Sequence, residues 1–237
     1  MTATGRELPL RLAVYVVTWS TPAPTTRTHL DIVGAAVAGG ATAVQLRAPE
    51  LTDDELLPVA VEVAAQCRGA GVLFIVNDRV DVAVAARAHG VHLGQRDDVA
   101  WAAGRLLPGQ VLGISVRGLE DVDPALRAGA DYLGATVWAT TTKPDALPGG
   151  VDALRAITAA SPVPVVGIGG ITAANAGEVI AAGAAGVAVV SAVAAAPDPV
   201  AATRGLVRAV ATARGRTRSL GPPDDAGRPA RTALEQR

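Results

Sequence analysis

The chain has 237 residues, half of them apolar but only 3% aromatic, with 21 basic residues against 22 acidic ones and a net charge of −1. That balance argues against a bulk electrostatic hold on nucleic acid or an anionic membrane. The single cysteine, Cys67, excludes an intrachain disulfide framework and a cysteine-based zinc site, and only one of the basic residues, Lys143, is lysine.

In chain order, Arg6, Glu7 and Arg11 interrupt the start, which is therefore not read as a signal peptide. Short apolar runs then recur, five of them after an Ala/Gly junction of the kind that ends a helix, as at Gly69-Ala70-Gly71 and Ala128-Gly129-Ala130. They predict strands over Leu12–Val17, Ala43–Leu46, Val72–Val76, Val91–Leu93, Val111–Ile114, Tyr132–Ala135, Val163–Gly167 and Gly186–Val190. A helical segment follows each run. One begins at the capping box Thr52–Glu55 and sets Leu56, Ala60, Val63 and Cys67 on one face, with Pro58 expected to kink it. Another begins at Asp198-Pro199, an N-cap followed by proline at the first helical position. The uncharged stretch Val179–Pro197 reads as a helix end plus a buried strand rather than a membrane span.

Repeated strand–helix units of this length predict a single α/β domain, a (β/α)8 barrel over residues 1–214. An open doubly wound sheet is the competing arrangement, but Gly167-Ile-Gly169-Gly170-Ile171-Thr172 lacks the last glycine of the dinucleotide fingerprint. Residues 215–237, rich in Gly, Pro and Arg, are expected to form a disordered tail.

In a barrel of this kind the chemistry sits at the C-terminal strand ends. There the chain places Gln45 and Arg47, Asn77 and Asp78, Asp97, Ser115, Thr140–Lys143, Gly169 and Gly170, and Ser191. Carboxylates, cations, hydroxyls and Gly-rich backbone on one rim suit a Mg²⁺-bridged polyphosphate and a second phosphate. Blander readings stand beside this one: Asn77-Asp78 as a helix cap, Asp97-Asp98 as a turn or cap, and Gly169-Gly170 as an ordinary turn. His92 is read as a packing residue, His29 and His89 as surface positions, and Cys67 as core.

Six stretches, in order and spacing, make the chain similar to the thiamine-phosphate synthase and thiazole tautomerase family: Val44-Gln-Leu-Arg47, Phe74-Ile-Val-Asn-Asp78, His92-Leu-Gly-Gln-Arg-Asp97, Leu112-Gly-Ile-Ser115, Thr140-Thr-Thr-Lys143 and Val166-Gly-Ile-Gly-Gly-Ile171. The resemblance implies a Mg²⁺-dependent transferase of thiamine biosynthesis. It would join 4-amino-5-hydroxymethyl-2-methylpyrimidine diphosphate to 4-methyl-5-(2-phosphooxyethyl)thiazole and release pyrophosphate. Asp78 and Asp97 would hold the metal, and Arg47, Asn77 and Lys143 the diphosphate. Gln45 and Ser115 would face the pyrimidine, and Thr140, Thr142, Gly170, Val190 and Ser191 would take the thiazole phosphate, with Lys143, Ser115 and Arg47 as the catalytic set. It further implies small-molecule partners only, neither nucleic acid nor membrane, a cytoplasmic place of action, and an oligomeric state left open, a homo-oligomer included.

The chain departs from the family pattern where Ala48-Pro49 replaces an acid and a lysine, and where Arg117 replaces a histidine. It departs again at Thr18-Trp19, and at Ala135-Thr136 and Ala139 in the strand-6 loop. A non-catalytic binder of thiamine phosphate or a precursor is the main alternative, with Pro49 in its favour. Thiazole tautomerase ranks lower, because its catalytic histidine falls at Arg117, and so does a sugar-phosphate isomerase or epimerase barrel.

Overall fold

The apolar runs pair side by side in sequence order and the last closes on the first. The computed structural model describes residues 7–19, 26–94, 97–139 and 147–219. Its strands are β1 (Val14–Val17), β2 (Ala43–Leu46), β3 (Leu73–Asn77), β4 (Gly90–Leu93), β5 (Val111–Val116), β6 (Tyr132–Thr136), β7 (Val165–Ile168) and β8 (Gly186–Val189). All pair in parallel, and β8 returns to β1 through Tyr15 opposite Ala188. The structure therefore holds the expected (β/α)8 barrel. Strand β7 starts later than expected because Pro162 and Pro164 have no N–H to give to a ladder.

The helices are α1 (Leu8–Arg11), α2 (His29–Ala38), α3 (Asp53–Ala70), α4 (Val80–Ala85), α5 (Val99–Ala103), α6 (Val122–Arg127), α7 (Gly150–Ala160), α8 (Ala176–Ala181), α9 (Ser191–Ala194) and α10 (Pro199–Ser219). Helix α10 runs to Ser219, so the boundary expected at residue 215 falls inside a helix; residues 220–237 lie outside the described residues. No helix among the described residues is long and apolar enough to cross a membrane.

Two apolar layers hold the barrel. One lies between strands and helices, with Val16, Val44, Phe74, Leu133 and Val187 packed against Ile32, Val63, Cys67, Val179 and Leu206. Burial pushes the Cys67 thiol up to about 12, so it behaves as a small apolar filler. The other fills the barrel itself, with Tyr15, Leu73, Ile75, Val111, Tyr132, Val166 and Ala188. Leu8 and Leu12 join this inner layer, so α1, which the sequence pattern did not predict, plugs the N-terminal end. Arg214 ties the plug to α10 by donating to the carbonyls of Pro9 and Ala185.

The helix signals act as expected at Thr52, whose hydroxyl accepts from Glu55 N while the Glu55 carboxylate accepts from Thr52 N. Asp198 likewise accepts from Ala201 N at 2.9 Å. Helix α3 runs unbroken through Pro58. The acceptor it leaves without an N–H is the carbonyl of Asp54, which lies in the exposed first turn where water can reach it.

Neither His29 nor His89 is the surface residue expected. His29 is buried, with Nδ1 2.9 Å from Thr18 Oγ1 and Nε2 3.1 Å from Glu50 Oε1. Thr18 Oγ1 in turn accepts from Arg47 N at 3.0 Å, so this group braces the end of β2. His89 extends the β3–β4 ladder through its side chain, its Nδ1 accepting from Phe74 N at 2.9 Å.

Burial, with Arg11 and Arg68 nearby, pushes His89 down to about 4. An unfolded histidine titrates near 6.5, so the unfolded chain binds the extra proton first. The stabilisation is complete above pH ~6.5 and is lost as pH falls towards about 4. Allowing for a half-exposed ring, about 2 kcal/mol is at stake. Urea unfolding at pH 7 and pH 4.5 should show the native chain losing about that much more stability than His89→Asn, which keeps an acceptor but cannot titrate. Parallel losses in the two proteins would remove this role from His89.

Candidate active site

Counting by twos along the strands from their C-terminal ends brings one set of side chains inward. Tyr15 and Val17 come from β1, Gln45 from β2, Asn77 from β3 and His92 from β4. Ser115 comes from β5, Tyr132, Gly134 and Thr136 from β6, and Ile168 from β7. Together with Arg47 just past β2 they line a cavity of about 400 Å³ that opens at the C-terminal face.

The floor of this cavity is a continuous polar chain. Gln45 Nε2 donates to Tyr15 Oη at 2.7 Å, and the two phenol oxygens lie 3.0 Å apart. His92 Nδ1 is 3.0 Å from Tyr132 Oη, and His92 Nε2 is 3.0 Å from Ser115 Oγ. His92, Tyr15 and Tyr132 were not among the candidates. Inward-facing polar residues are hard to find in strands buried on both faces, because alternation vanishes there. The available signal was register: His92 pairs with Asn77 and Gly113, and the chain's two tyrosines both fall on inward positions.

Next to the lining residue Asn77, but not itself lining the cavity, stands a carboxylate pair. Asp78 follows β3 with φ 61°, a left-handed conformation that Asp tolerates better than most residues. Its N–H donates to His92 O at 3.0 Å, which fastens the β3 end to β4. Asp97 Oδ2 accepts from Gly94 N at 2.6 Å. The two carboxyl groups stand close enough to repel one another when both are charged. Burial first, then the neighbouring Asp97, pushes Asp78 up to about 6, against the opposing pull of Asn77 and Arg47.

Asp78 is thus not a helix cap: α4 is entered through Arg79 without a side-chain cap bond, whereas Asp98 does cap α5 by accepting from Trp101 N at 3.0 Å. No group of three His, Cys, Asp or Glu side chains stands together among the described residues. Two carboxylates beside an open polar rim fit a hard divalent cation that takes its remaining oxygens from a phosphate ligand and water.

On the opposite side, the turn after β7 uses Gly169 at φ 92° and Gly170 at φ 62°. Asn175 clamps the turn, giving Nδ2–H to Gly170 O at 3.0 Å and accepting from Thr172 N at 2.7 Å. Trp138 and Ala139, leaving β6, pack onto the same turn. Val190, which follows β8, and Ser191, the first residue of α9, complete this edge. Such turns after strands 7 and 8 present backbone N–H groups suited to phosphate.

Of the residues singled out in the sequence, Gln45, Arg47, Asn77, Ser115, Gly170, Val190 and Ser191 line the one cavity. Asp78 and Asp97 stand as a pair in the field of Arg47. Thr140, Thr142 and Lys143 lie outside the described residues, as does Arg96. Arg117 does not line the cavity: it forms a two-pronged pair with Asp121, at 3.0 and 3.1 Å.

The family model described as thiamine monophosphate synthase matches residues 14–193. The thiamine-phosphate synthase of Chloroflexus aurantiacus is 50% identical over 182 residues, covering 76% of this chain and 84% of that one. The thiamine-phosphate synthase of Methanoregula boonei is 48% identical over 208 residues, covering 86% of this chain and 96% of that one. The solved thiamine phosphate pyrophosphorylase of Pyrococcus furiosus superimposes with a TM-score of 0.80 at 38% identity, covering 87% of this chain and 98% of that one. The matched span runs from the first strand to the helix after the last, and so takes in every strand that lines the cavity; the chain belongs to the thiamine monophosphate synthase family.

Proposed function

We propose that this cavity joins 4-amino-5-hydroxymethyl-2-methylpyrimidine diphosphate to 4-methyl-5-(2-phosphooxyethyl)thiazole, giving thiamine phosphate and pyrophosphate. The observation that carries the reading is one cavity with two ends suited to anions. Arg47 and Asn77 beside the Asp78–Asp97 pair form one end, and the Gly169–Gly170 turn with Ser191 forms the other. Family membership supplies the identity of the two substrates.

Asp78 and Asp97 would hold Mg²⁺, which would supply charge neutralisation to the diphosphate and so a better leaving group. Arg47, Asn77 and Lys143 bind the same diphosphate. Gln45 and Ser115 face the pyrimidine, and Thr140, Thr142, Gly170, Val190 and Ser191 hold the thiazole phosphate. The bond from the pyrimidine methylene carbon to the diphosphate oxygen breaks, and its electron pair leaves with pyrophosphate. The electron-rich aminopyrimidine spreads the resulting positive charge. The lone pair of the thiazole nitrogen then forms the new C–N bond. No proton needs to move, so the residues act by positioning and charge neutralisation rather than as base or nucleophile.

The test is a two-substrate assay. With both precursors and Mg²⁺, thiamine phosphate and pyrophosphate should appear in equal amounts, and chelation of the metal should stop both. Thiamine phosphate binding without turnover at any Mg²⁺ concentration would instead establish the non-catalytic binder that Pro49 favours.

A further inference from the structure

The polar chain on the cavity floor has a direction, and the protons can be counted along it. Tyr15 is 2% exposed and Tyr132 fully buried, and burial pushes both phenols well above their usual range, so each keeps one proton to give. Tyr15 Oη receives a hydrogen bond from Gln45 Nε2. If Tyr132 also donated to it, the Tyr15 proton would be buried without an acceptor, at a cost that folded proteins avoid. Tyr15 therefore donates to Tyr132, and Tyr132 passes its own proton to its other neighbour, His92 Nδ1. A neutral imidazole that accepts at Nδ1 carries its hydrogen on Nε2, which points at Ser115 Oγ. Ser115 accepts there, so its own proton is turned towards the cavity.

The backbone is built around this arrangement. A Cβ at Gly113 would collide with Cζ and Oη of Tyr132 and lie 2.5 Å from His92 Nδ1, and one at Gly134 would lie 3.0 Å from His92 Cε1. Two neighbouring strands thus carry glycine on the inward positions where the two rings lie. The His92 and Tyr132 ring centroids are 5.4 Å apart, so the pair is held by packing as well as by the hydrogen bond.

We propose that Tyr132 and Tyr15 are positioning residues. Through His92 they fix Ser115 as a one-way donor towards an acceptor atom of an aromatic nitrogen heterocycle bound in the cavity. The identity of that heterocycle as the pyrimidine substrate rests on the function proposed above; the proton order does not.

Long-range ¹H–¹⁵N correlation spectra report which nitrogen of each imidazole carries hydrogen, and with three histidines in the chain His92 is readily assigned by His92→Gln. The hydrogen should be found on Nε2 at neutral pH; a hydrogen on Nδ1 would mean that the chain runs the other way and would overturn the proposal. Tyr132→Phe should let the His92 hydrogen redistribute over both nitrogens and lower kcat tenfold or more, leaving KM for the thiazole phosphate unchanged. Tyr15→Phe, which spares the bond to His92, should cost less. In a Ser115→Ala background Tyr132→Phe should cost nothing further, because the hydroxyl it orients is gone. Additive losses would show that Tyr132 acts by some other route. The tautomer spectrum needs neither turnover nor a variant other than the assignment control, so it decides the proton order even if the two-substrate assay fails.

Discussion

Asp78→Asn should yield a protein that is more stable than the native one and nearly inactive. The folded state holds Asp78 up at about 6, through burial and the adjacent Asp97. An unfolded aspartate ionises near 3.9. For a carboxyl raised in this way, the folded state is favoured by protonation. Stability is therefore complete below pH ~4 and is lost as pH rises through about 6. At pH 7.5 without divalent cation, the native chain bears the full cost of that buried negative charge. Asparagine removes the charge and tolerates the same φ of 61°, so the turn keeps its shape.

With allowance for partial solvation, urea unfolding in chelator at pH 7.5 should show Asp78→Asn more stable by about 1–2 kcal/mol. The gap should close towards pH 4. Mg²⁺ should stabilise the native chain and leave the variant unmoved. Turnover should fall by roughly a hundredfold or more, since one of two carboxylates facing the leaving diphosphate is lost. A variant that turns over at the native rate, or is no more stable in chelator, would contradict the place given to Asp78.

Gly169→Ala should damage the opposite end of the cavity. At φ 92° an L side chain is strained, by about 1–3 kcal/mol. The new Cβ would also stand 2.5 Å from Trp138 O and 3.1 Å from Thr136 Cγ2. The close neighbour is backbone, not the flexible end of a side chain, so either the β7 turn or the chain leaving β6 must move. Both edges frame the proposed thiazole phosphate site. KM for the thiazole phosphate should rise about thirtyfold or more, while KM for the pyrimidine diphosphate and the Mg²⁺ requirement stay near native values. Gly177→Ala on α8 is the control: a Cβ there meets nothing within 4 Å, so neither KM should change, and stability should rise slightly. Equal effects of Gly169→Ala on both substrates would place the phosphate elsewhere.

The barrel was legible because strands buried on both faces leave continuous apolar runs, and because Ala/Gly junctions mark the ends of the helices between them. The rim was legible too, since Arg47, Asn77, Asp78 and Ser115 follow those runs directly, and loops at that face are where polar residues can gather. The floor was not. Tyr15, His92 and Tyr132 lie within strands whose neighbours are apolar on both sides, so only closure of the barrel decides which of them meet.

His29 was misjudged for a related reason. Its partners Thr18 and Glu50 come from elements that neighbour it only after β1 and β2 pair. Pro58 sits inside α3 without ending it. A local rule against proline in helices was overridden by its place near an exposed helix start, where the spared carbonyl stays wet.

In the proposed reaction the two ends of one cavity hold the leaving diphosphate and the thiazole phosphate at the same time. A crystal structure grown with thiamine phosphate, pyrophosphate and Mn²⁺ in place of Mg²⁺ tests it most directly, because manganese is located by its anomalous signal. One manganese is expected between Asp78 and Asp97, touching pyrophosphate that Arg47 and Asn77 also hold. The phosphate of thiamine phosphate should lie at Gly170 and Ser191, with the pyrimidine ring over Gln45 and Ser115. Manganese away from the carboxylate pair, or the thiamine phosphate lying outside the barrel mouth, would contradict it.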